Sequence, residues 1–353
     1  MRSADKQVSV VSELRTRIVK GILPLGAKLP TRSELEQQFG VSTATLQGAM
    51  DHLARDGFIE SKGRSGTFVV KTPPWLSTYA LLIADHPSSN ASSQFWTAIL
   101  NEAYKLDKNG MTKLPVFYGF GPVHLRPDDF ADYNRIVKDL RAQRLGGLIF
   151  VTNPDYFEGT PLISERVTSV AVKTASVFGI PSVYPDMVAL VERSLDYFQA
   201  LGRRRVAVVG LDLSFTGRYT LQRLEAAIAS RGMTTRPFWN LQLEPAQPQG
   251  VQACADLLMH CAERPDSLLI ADDNLVPNFT AGLLASRVRI PDDLEIVAHA
   301  NFPWPTQSMV PVRRIGFDVH RLLEVCIETI AAQRDGKPVP ELTLLPPYFV
   351  DRT

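Results

Sequence analysis

The stretch Gly63-Arg64-Ser65-Gly66-Thr67 sets two glycines around a cation and a hydroxyl, and these residue types hold phosphate. Glycine lets backbone approach an anion closely, and arginine and serine supply donors. The phosphate belongs either to a nucleotide or to a nucleic-acid backbone. Spacing argues against the nucleotide. A P-loop needs G-x-x-x-x-G-K-[ST] opening a helix, whereas this stretch joins two strand-like runs, FIES and TFVV. Lys62, Arg64 and Ser65 then sit at a hairpin tip suited to a nucleic-acid backbone.

A second polar set lies upstream. Ser42, Thr43, Thr45 and Gln47 open a helical pattern, and Arg32 opens the one before it. Short hydroxyls and an amide suit hydrogen bonds to phosphates and base edges. Taken singly, each also fits a solvated helix face.

A third set follows apolar, strand-like runs: Asp85-His86, Phe120, Asn153, Asp272-Asp273-Asn274 and Asn301. In open α/β sheets, ligands sit beyond the carboxyl ends of strands. Carboxylates, amides and aromatic faces there fit a polyhydroxylated ligand. Phe95 and Trp96 open the next helix and offer such a face; packing in a core is the alternative for Trp96.

Catalytic patterns are missing. VAVVGLDLSFTGR has too few glycines for a dinucleotide fingerprint. There is no G-x-S-x-G, no H-E-x-x-H and no Cys–His set at known spacing. The expectation is a protein that is not an enzyme and needs no cofactor or metal. An α/β enzyme carrying a DNA-binding module is the alternative.

The elements that position these groups read as follows. Val8, Val11, Leu14 and Ile18 form an apolar helix face ending at Gly21. Thr31-Arg32-Ser33-Glu34 has the form of a capping box, opening a short helix with Leu35 and Phe39 inward and Gly40 as its stop. Ser42 caps the next helix, whose stripe is Leu46, Met50 and Leu53. Gly57 ends it, and a hairpin follows. Cap, tight turn, stripe and hairpin agree on a winged helix-turn-helix. KTPPWLS is a Pro-rich joint. Beyond it, YALLIAD, LPVFYGF, LGGLIFV, SVAVKTAS, RRVAVVG, SLLIADD, LEIVAHA and RRIGFD alternate with helical stretches near 93–108, 129–144, 186–200, 218–231, 250–263, 277–286 and 318–333. Continuous apolar strands between helices mean parallel sheets covered on both faces. The length of this region favours two stacked lobes. The expected division is 1–71 for the head, 72–77 for the joint and 78–353 for a two-lobed α/β body.

Bulk properties fit. The chain of 353 residues is 45% hydrophobic and 21% charged, as in soluble globular proteins. Net charge is +1, but residues 1–72 carry 11 basic and 7 acidic side chains, against 27 and 30 in the rest. A basic head on a faintly acidic body suits a polyanionic partner. No apolar run of membrane-spanning length and no secretory signal is read, so the cytoplasm is expected. Cys254, Cys261 and Cys326 are too scattered for a disulfide framework; the first two read as buried thiols on one helix.

Residues 8–70 resemble the GntR family of bacterial regulators. The likeness rests on the Leu-Pro before the second helix, the Gly-Val-Ser turn, Ala-x-x-x-Leu in the third helix and the Gly-x-x-Gly-Thr-Phe-Val wing. It implies binding to a double-stranded DNA operator as a homodimer. Thr43 and Gln47 stand where the family usually has arginine, and Arg32 where it usually has glutamate. Residues 78–352 resemble the periplasmic-binding-protein-like effector domain of lac-repressor-type regulators, through Asp186 before a helix ending in ALGRRRVAVV, SLLIADDNLVPNFTAGLL, VRIPDDLEIVAHAN, RRIGFDVHRLL and the tail LLPPYFVDRT. This likeness implies a small effector between the lobes, a sugar, modified sugar or purine-type ligand. It places Arg223 and Asp273 at the family's sugar-binding arginine and aspartate. The family's Phe/Tyr-Asp-Asp falls on His299-Ala300-Asn301, so one acidic contact is missing. Asp85, Trp96, Phe120, Arg223, Asp273 and Asn301 are the effector candidates. The implied function is a repressor of carbohydrate-metabolism genes.

Overall fold

The first helix forms because four apolar side chains recur on one side of it. In the computed structural model, which describes residues 3–84, 93–108, 112–119, 131–165, 167–211, 213 and 220–350, α1 (Ser3–Val19) buries Val10, Val11, Leu14 and Ile18. Val8, expected on that face, is 66% exposed. At 3.6 residues per turn Val8 lies about 120° around the helix from Leu14, off the stripe that Val10 completes.

The capping box forms as the sequence indicates. Ahead of α2 (Arg32–Phe39) the Thr31 N–H donates to Glu34 Oε2 at 2.7 Å, and the Glu34 N–H donates to Thr31 Oγ1 at 3.4 Å. Gly40, at φ 59°, closes α2 in the left-handed region, which glycine adopts without steric cost. The Ser42 hydroxyl then caps α3 (Thr43–Arg55), accepting from the Thr45 N–H at 3.3 Å. Leu46, Ala49, Met50 and Leu53 of α3 pack with the α1 stripe. β1 (Ile59–Ser61) and β2 (Thr67–Val69) pair antiparallel, Ile59 opposite Val69 and Ser61 opposite Thr67. An antiparallel bridge from Lys28 to Phe68 adds a third edge that the sequence did not signal. The joint is itself folded: α4 (Pro74–Ser77) starts with proline at its first turn.

The body holds two sheets. The chain runs through β3 (Tyr79–Leu82), α5 (Gln94–Lys108), β4 (Val116–Phe117), α6 (Ala131–Arg141), β5 (Gly147–Phe150), α7 (Pro161–Ser164), β6 (Ser169–Ala171) and β7 (Ser182–Pro185). It continues through α8 (Met187–Ala200), β8 (Val206–Gly210), α9 (Leu221–Ser230), β9 (Asn240–Gln242), α10 (Pro248–His260), β10 (Ser267–Ile270), α11 (Val276–Ala285), β11 (Glu295–Phe302) and β12 (Arg313–Asp318). It ends with α12 (Val319–Arg334), β13 (Leu342–Leu345) and β14 (Tyr348–Val350). Among the described residues the sheet orders are β13-β7-β6-β5-β3-β4 and β14-β12-β11-β10-β8-β9. All neighbours are parallel except β14 against β12.

The lobes exchange chain. β7 belongs to the first sheet, and α8 after it packs in the second lobe. β12 belongs to the second sheet, and α12 after it returns to the first lobe, where Leu322, Leu323 and Ile330 pack with Leu81 and Ile149. β13 and β14 then fall in opposite sheets. The lobes are therefore linked by three connections, beside which their strand ends meet. Each sheet has an apolar cluster on both faces, as continuous apolar strands require. Close helix packing explains Gly282: a Cβ there would stand 2.2 Å from the Gln252 carbonyl oxygen of α10. Cys326 is buried, and burial pushes its thiol up to about 12. Cys254 and Cys261 are not the buried thiols expected; both are partly exposed.

Candidate functional site: a DNA-facing head and a cleft between lobes

The head presents its polar candidates unevenly. Arg32, Ser42 and Thr43 are exposed at the starts of α2 and α3. Gln47 is half-buried, and its amide donates to Asp51 Oδ1 at 2.7 Å, which fixes the side chain along the helix. Thr45, expected beside them, is 7% exposed. Its hydroxyl lies 3.0 Å from Ser42 Oγ, so it supports the cap rather than the open surface. Lys62, Arg64 and Ser65 are exposed around a single 3-10 turn, Gly63–Ser65, closed by Lys62 N–H donating to the Gly66 carbonyl at 2.9 Å. Gly66 has φ 107°, a conformation that side chains rarely adopt. Lys62 pairs with Glu60 at 2.9 Å and lies over the Phe68 ring.

The cleft gathers residues from both lobes. A cavity of about 280 Å³ is lined by Ser93, Phe95, Tyr184 and Pro185 from the first lobe. Met187, Gly210, Leu211, Ala271, Asp272, Asp273, Asn274, His299 and Asn301 line it from the second. Most stand at or just past strand carboxyl ends, the crevice position of open α/β sheets. The lobes touch here: the Gln94 N–H, at the start of α5, donates to Asn274 Oδ1 at 2.8 Å.

The cleft's electrostatics follow from burial. Asp273 is 2% exposed, and burial pushes its carboxyl up to about 6, opposed by the Asn301 amide and by Arg314. Burial also raises the carboxyl of Asp272, with Asp273 adding to the rise. Burial drives His299 down to about 4, opposed by Asp272, so the ring is neutral near pH 7. Asn301 is fully buried and donates its amide to Asp273 Oδ2 at 2.6 Å. Its Oδ1 and both ring nitrogens of His299 have no hydrogen-bond partner. Each such buried atom costs about 1–3 kcal/mol. Groups that supply partners remove that cost.

Of the effector candidates, Asp273 and Asn301 are brought together here. Trp96 is half-buried against the first-lobe core, and its neighbour Phe95 lines the cavity instead. Arg223 is exposed on α9 and is not among the lining residues. Asp85 and Phe120 lie outside the described residues. The sequence pattern points to neither Tyr184 nor Met187, and it marks His299 only as the first residue of His299-Ala300-Asn301. Met187 begins the helix that Asp186 caps. Tyr184 falls on a four-residue strand ending in proline, too short to announce itself.

A third feature joins head to body. Asp56 ends α3 with its carboxylate 3% exposed. It takes Arg15 of α1 at 2.5 Å and Arg144, from the turn after α6, at 2.9 Å. His52 lies 3.3 Å away. Arg144 also pairs with Asp139, and these acidic partners outweigh desolvation to raise its guanidinium above the ordinary value. Trp75 of α4 stacks on Phe58 at 5.0 Å, and its carbonyl accepts from Arg334 of α12 at 3.2 Å. The Pro-rich joint is thus held from both sides.

A winged helix-turn-helix followed by two parallel-sheet lobes with a polar cleft defines the class. Comparison with known proteins agrees. Residues 6–69 match the model for bacterial regulatory proteins of the gntR family, and residues 195–353 match a periplasmic binding protein-like domain. The chain therefore carries a gntR-type DNA-binding head and a periplasmic-binding-protein-like domain. The head is 42% identical over 60 residues to the Uxu operon regulator of Haemophilus influenzae, covering 17% of this chain and 23% of that one. It is 38% identical over 60 residues to the mannosyl-D-glycerate transport/metabolism system repressor MngR of Escherichia coli, covering 17% and 25%. The chain thus spans about a quarter of the length of each of these relatives. The body shares its fold with a LacI family transcriptional regulator from Lactobacillus casei solved with bound glucose (TM-score 0.55, 19% identity, 78% of this chain and 99% of that one). It shares it also with a LacI-type transcription regulator from Bifidobacterium animalis (TM-score 0.57, 16% identity, 78% and 98%).

Proposed function

We propose that this protein is a cytoplasmic, homodimeric repressor of carbohydrate-metabolism genes, whose hold on an operator is set by a sugar-type ligand in the cleft. Residues 1–71 bind DNA, 72–77 form the joint and 78–353 bind ligand and dimerise. Arg32, Ser42, Thr43 and Gln47 face the major groove and its phosphates, and Lys62, Arg64 and Ser65 of the wing face backbone phosphates. A dimer sets two copies of α3 about one DNA turn, or a multiple, apart on a palindromic site. The observation that carries the reading is the pairing of a head that exposes Arg32, Ser42, Thr43, Lys62, Arg64 and Ser65 with a cleft where Asn301 Oδ1 and both His299 nitrogens lack partners.

Coupling has a physical route. Ligand that draws the lobes together acts on the turn between α6 and β5, where Arg144 holds Asp56 at the end of α3. A Cβ on Gly146 in the same turn would stand 2.7 Å from the Trp75 carbonyl, so this turn touches both contacts with the head and joint. The ligand shifts DNA affinity only by its differential affinity for two lobe arrangements, typically about 1–3 kcal/mol. The test is binding of the purified protein to duplexes covering its own promoter region, with and without a sugar that raises its melting temperature. Salt-dependent, sequence-preferring binding that the sugar alters is expected. Equal binding to all duplexes, unmoved by any stabilising sugar, would remove the reading.

A further inference from the structure

We infer that the cleft selects a donor-rich, non-anionic ligand: an unphosphorylated, uncarboxylated sugar or amino sugar. This inference rests on the cleft being the ligand site and goes further by fixing the ligand's charge class. The argument is a count of donors and acceptors on one wall. Asp272 and Asp273 bring carboxylate oxygens, of which Asp272 Oδ1 already accepts from Asn274 and Asp273 Oδ2 from Asn301. Asn301 spends one amide N–H on Asp273, which leaves its second N–H and the unpartnered Oδ1, an acceptor. A neutral His299 brings one acceptor and one donor, both unpartnered. The wall therefore offers acceptors in excess and needs donors from its guest.

Hydroxyl and amino groups supply donors. A phosphate or carboxylate supplies acceptors and negative charge, which would face the buried carboxylate of Asp273 and the half-buried one of Asp272. Among the described residues that line the cavity there is no lysine or arginine to offset this. Arg314, which acts on Asp273 through its charge, does not line the cavity and donates to the Thr306 carbonyl at 2.5 Å. Phe95 and Met187 add an apolar surface against which the CH face of a sugar ring can lie.

The experiment is calorimetry and melting-temperature shift on the full chain with matched sets built on glucose, galactose and mannose. Each set holds the neutral sugar, its 6-phosphate, its uronic acid and its 2-amino form. The strongest binder is expected to be neutral or amino, with its own phosphate and acid at least 100-fold weaker. Asp272→Asn keeps an acceptor for Asn274 while removing a charge, and it should narrow that gap at least tenfold. A phosphate or acid binding within tenfold of its neutral parent overturns the inference and leaves the cleft reading intact. So does a gap that Asp272→Asn leaves unchanged. If the best ligand binds Phe95→Ala as tightly as wild type, the cleft reading falls instead. If nothing in the panel binds, the sugar reading falls, and this inference with it.

Discussion

The head and the cleft treat polar groups in opposite ways. In the head, Arg32, Ser42, Thr43, Lys62, Arg64 and Ser65 stand in solvent at helix starts and at a hairpin tip, and the buried Asp56 and Thr45 have partners, Asp56 two arginines and Thr45 the Ser42 hydroxyl. In the cleft, Asn301 Oδ1 and both ring nitrogens of His299 are buried without partners. A surface that meets a polyanion needs reach and charge, which cost little to expose. A pocket that must discriminate a small molecule keeps hydrogen bonds in reserve, at a cost in the empty state.

The largest effect expected from this contrast is at Asp56. Asp56→Ala leaves Arg15 without its buried partner and frees Arg144 from the head. Removing one member of a buried pair costs about 3–5 kcal/mol. Urea unfolding should show the head losing structure first, and Asp56→Asn should lose less because it keeps one acceptor. If Asp56→Ala unfolds at the wild-type midpoint, the head's buried polar groups are no better satisfied than the cleft's, and the contrast fails.

The next effect is a hidden pH dependence in the cleft. Asp273 rises from 3.8 to about 6 on folding, so the stability linked to it is full below 3.8 and is lost as pH climbs through 6. His299 falls from 6.5 to about 4, so the stability linked to it is full above 6.5 and is lost as pH falls through 4. Each amounts to roughly 3 kcal/mol, with opposite sign over nearly the same window. In the wild type they oppose one another, and Asp272, also raised by burial, acts on the side of Asp273. His299→Gln should therefore expose a protein that loses stability from about pH 4 to 6. Asp273→Asn should expose one that loses stability from about pH 6.5 down to 4. Thermal melts at half-unit steps read both. Parallel curves for the two variants would break the assignment of opposed groups.

The same contrast explains what could be read from the sequence. The head's signals are local. Thr31 with Glu34, Gly40 before Ser42, and the Gly63–Gly66 turn each span a few residues, and the structure has each of them. Most body helices were legible within a few residues for the same reason, since a period of 3.6 repeats within one segment. The cleft is not local. Asp273 and Asn301 were legible because each follows or ends an apolar strand. Phe95 was placed behind Trp96 because helix phase, and so which aromatic faces inward, depends on packing against α12 and β3. Arg223 was carried by resemblance alone, and its side chain stays exposed. Asp56 was missed because its two arginines lie 41 and 88 residues away.

The smallest effects separate the two parts of the head itself. Arg64 stands at the wing tip, exposed. Arg64→Ala should weaken binding to every duplex alike and make the slope of log K against log salt shallower by about 1, the signature of a lost phosphate contact. Gln47 sits half-buried in the second turn of α3, its amide nitrogen held by Asp51. Gln47→Ala should leave the salt slope unchanged and relax the preference at one base by about 1 kcal/mol, read by selection from random duplexes. The two variants must differ in kind and not only in size. If Arg64→Ala shifts the selected sequence, or Gln47→Ala changes the salt slope, then wing and helix do not divide backbone from base contacts, and the exposed polar groups act as one undifferentiated surface.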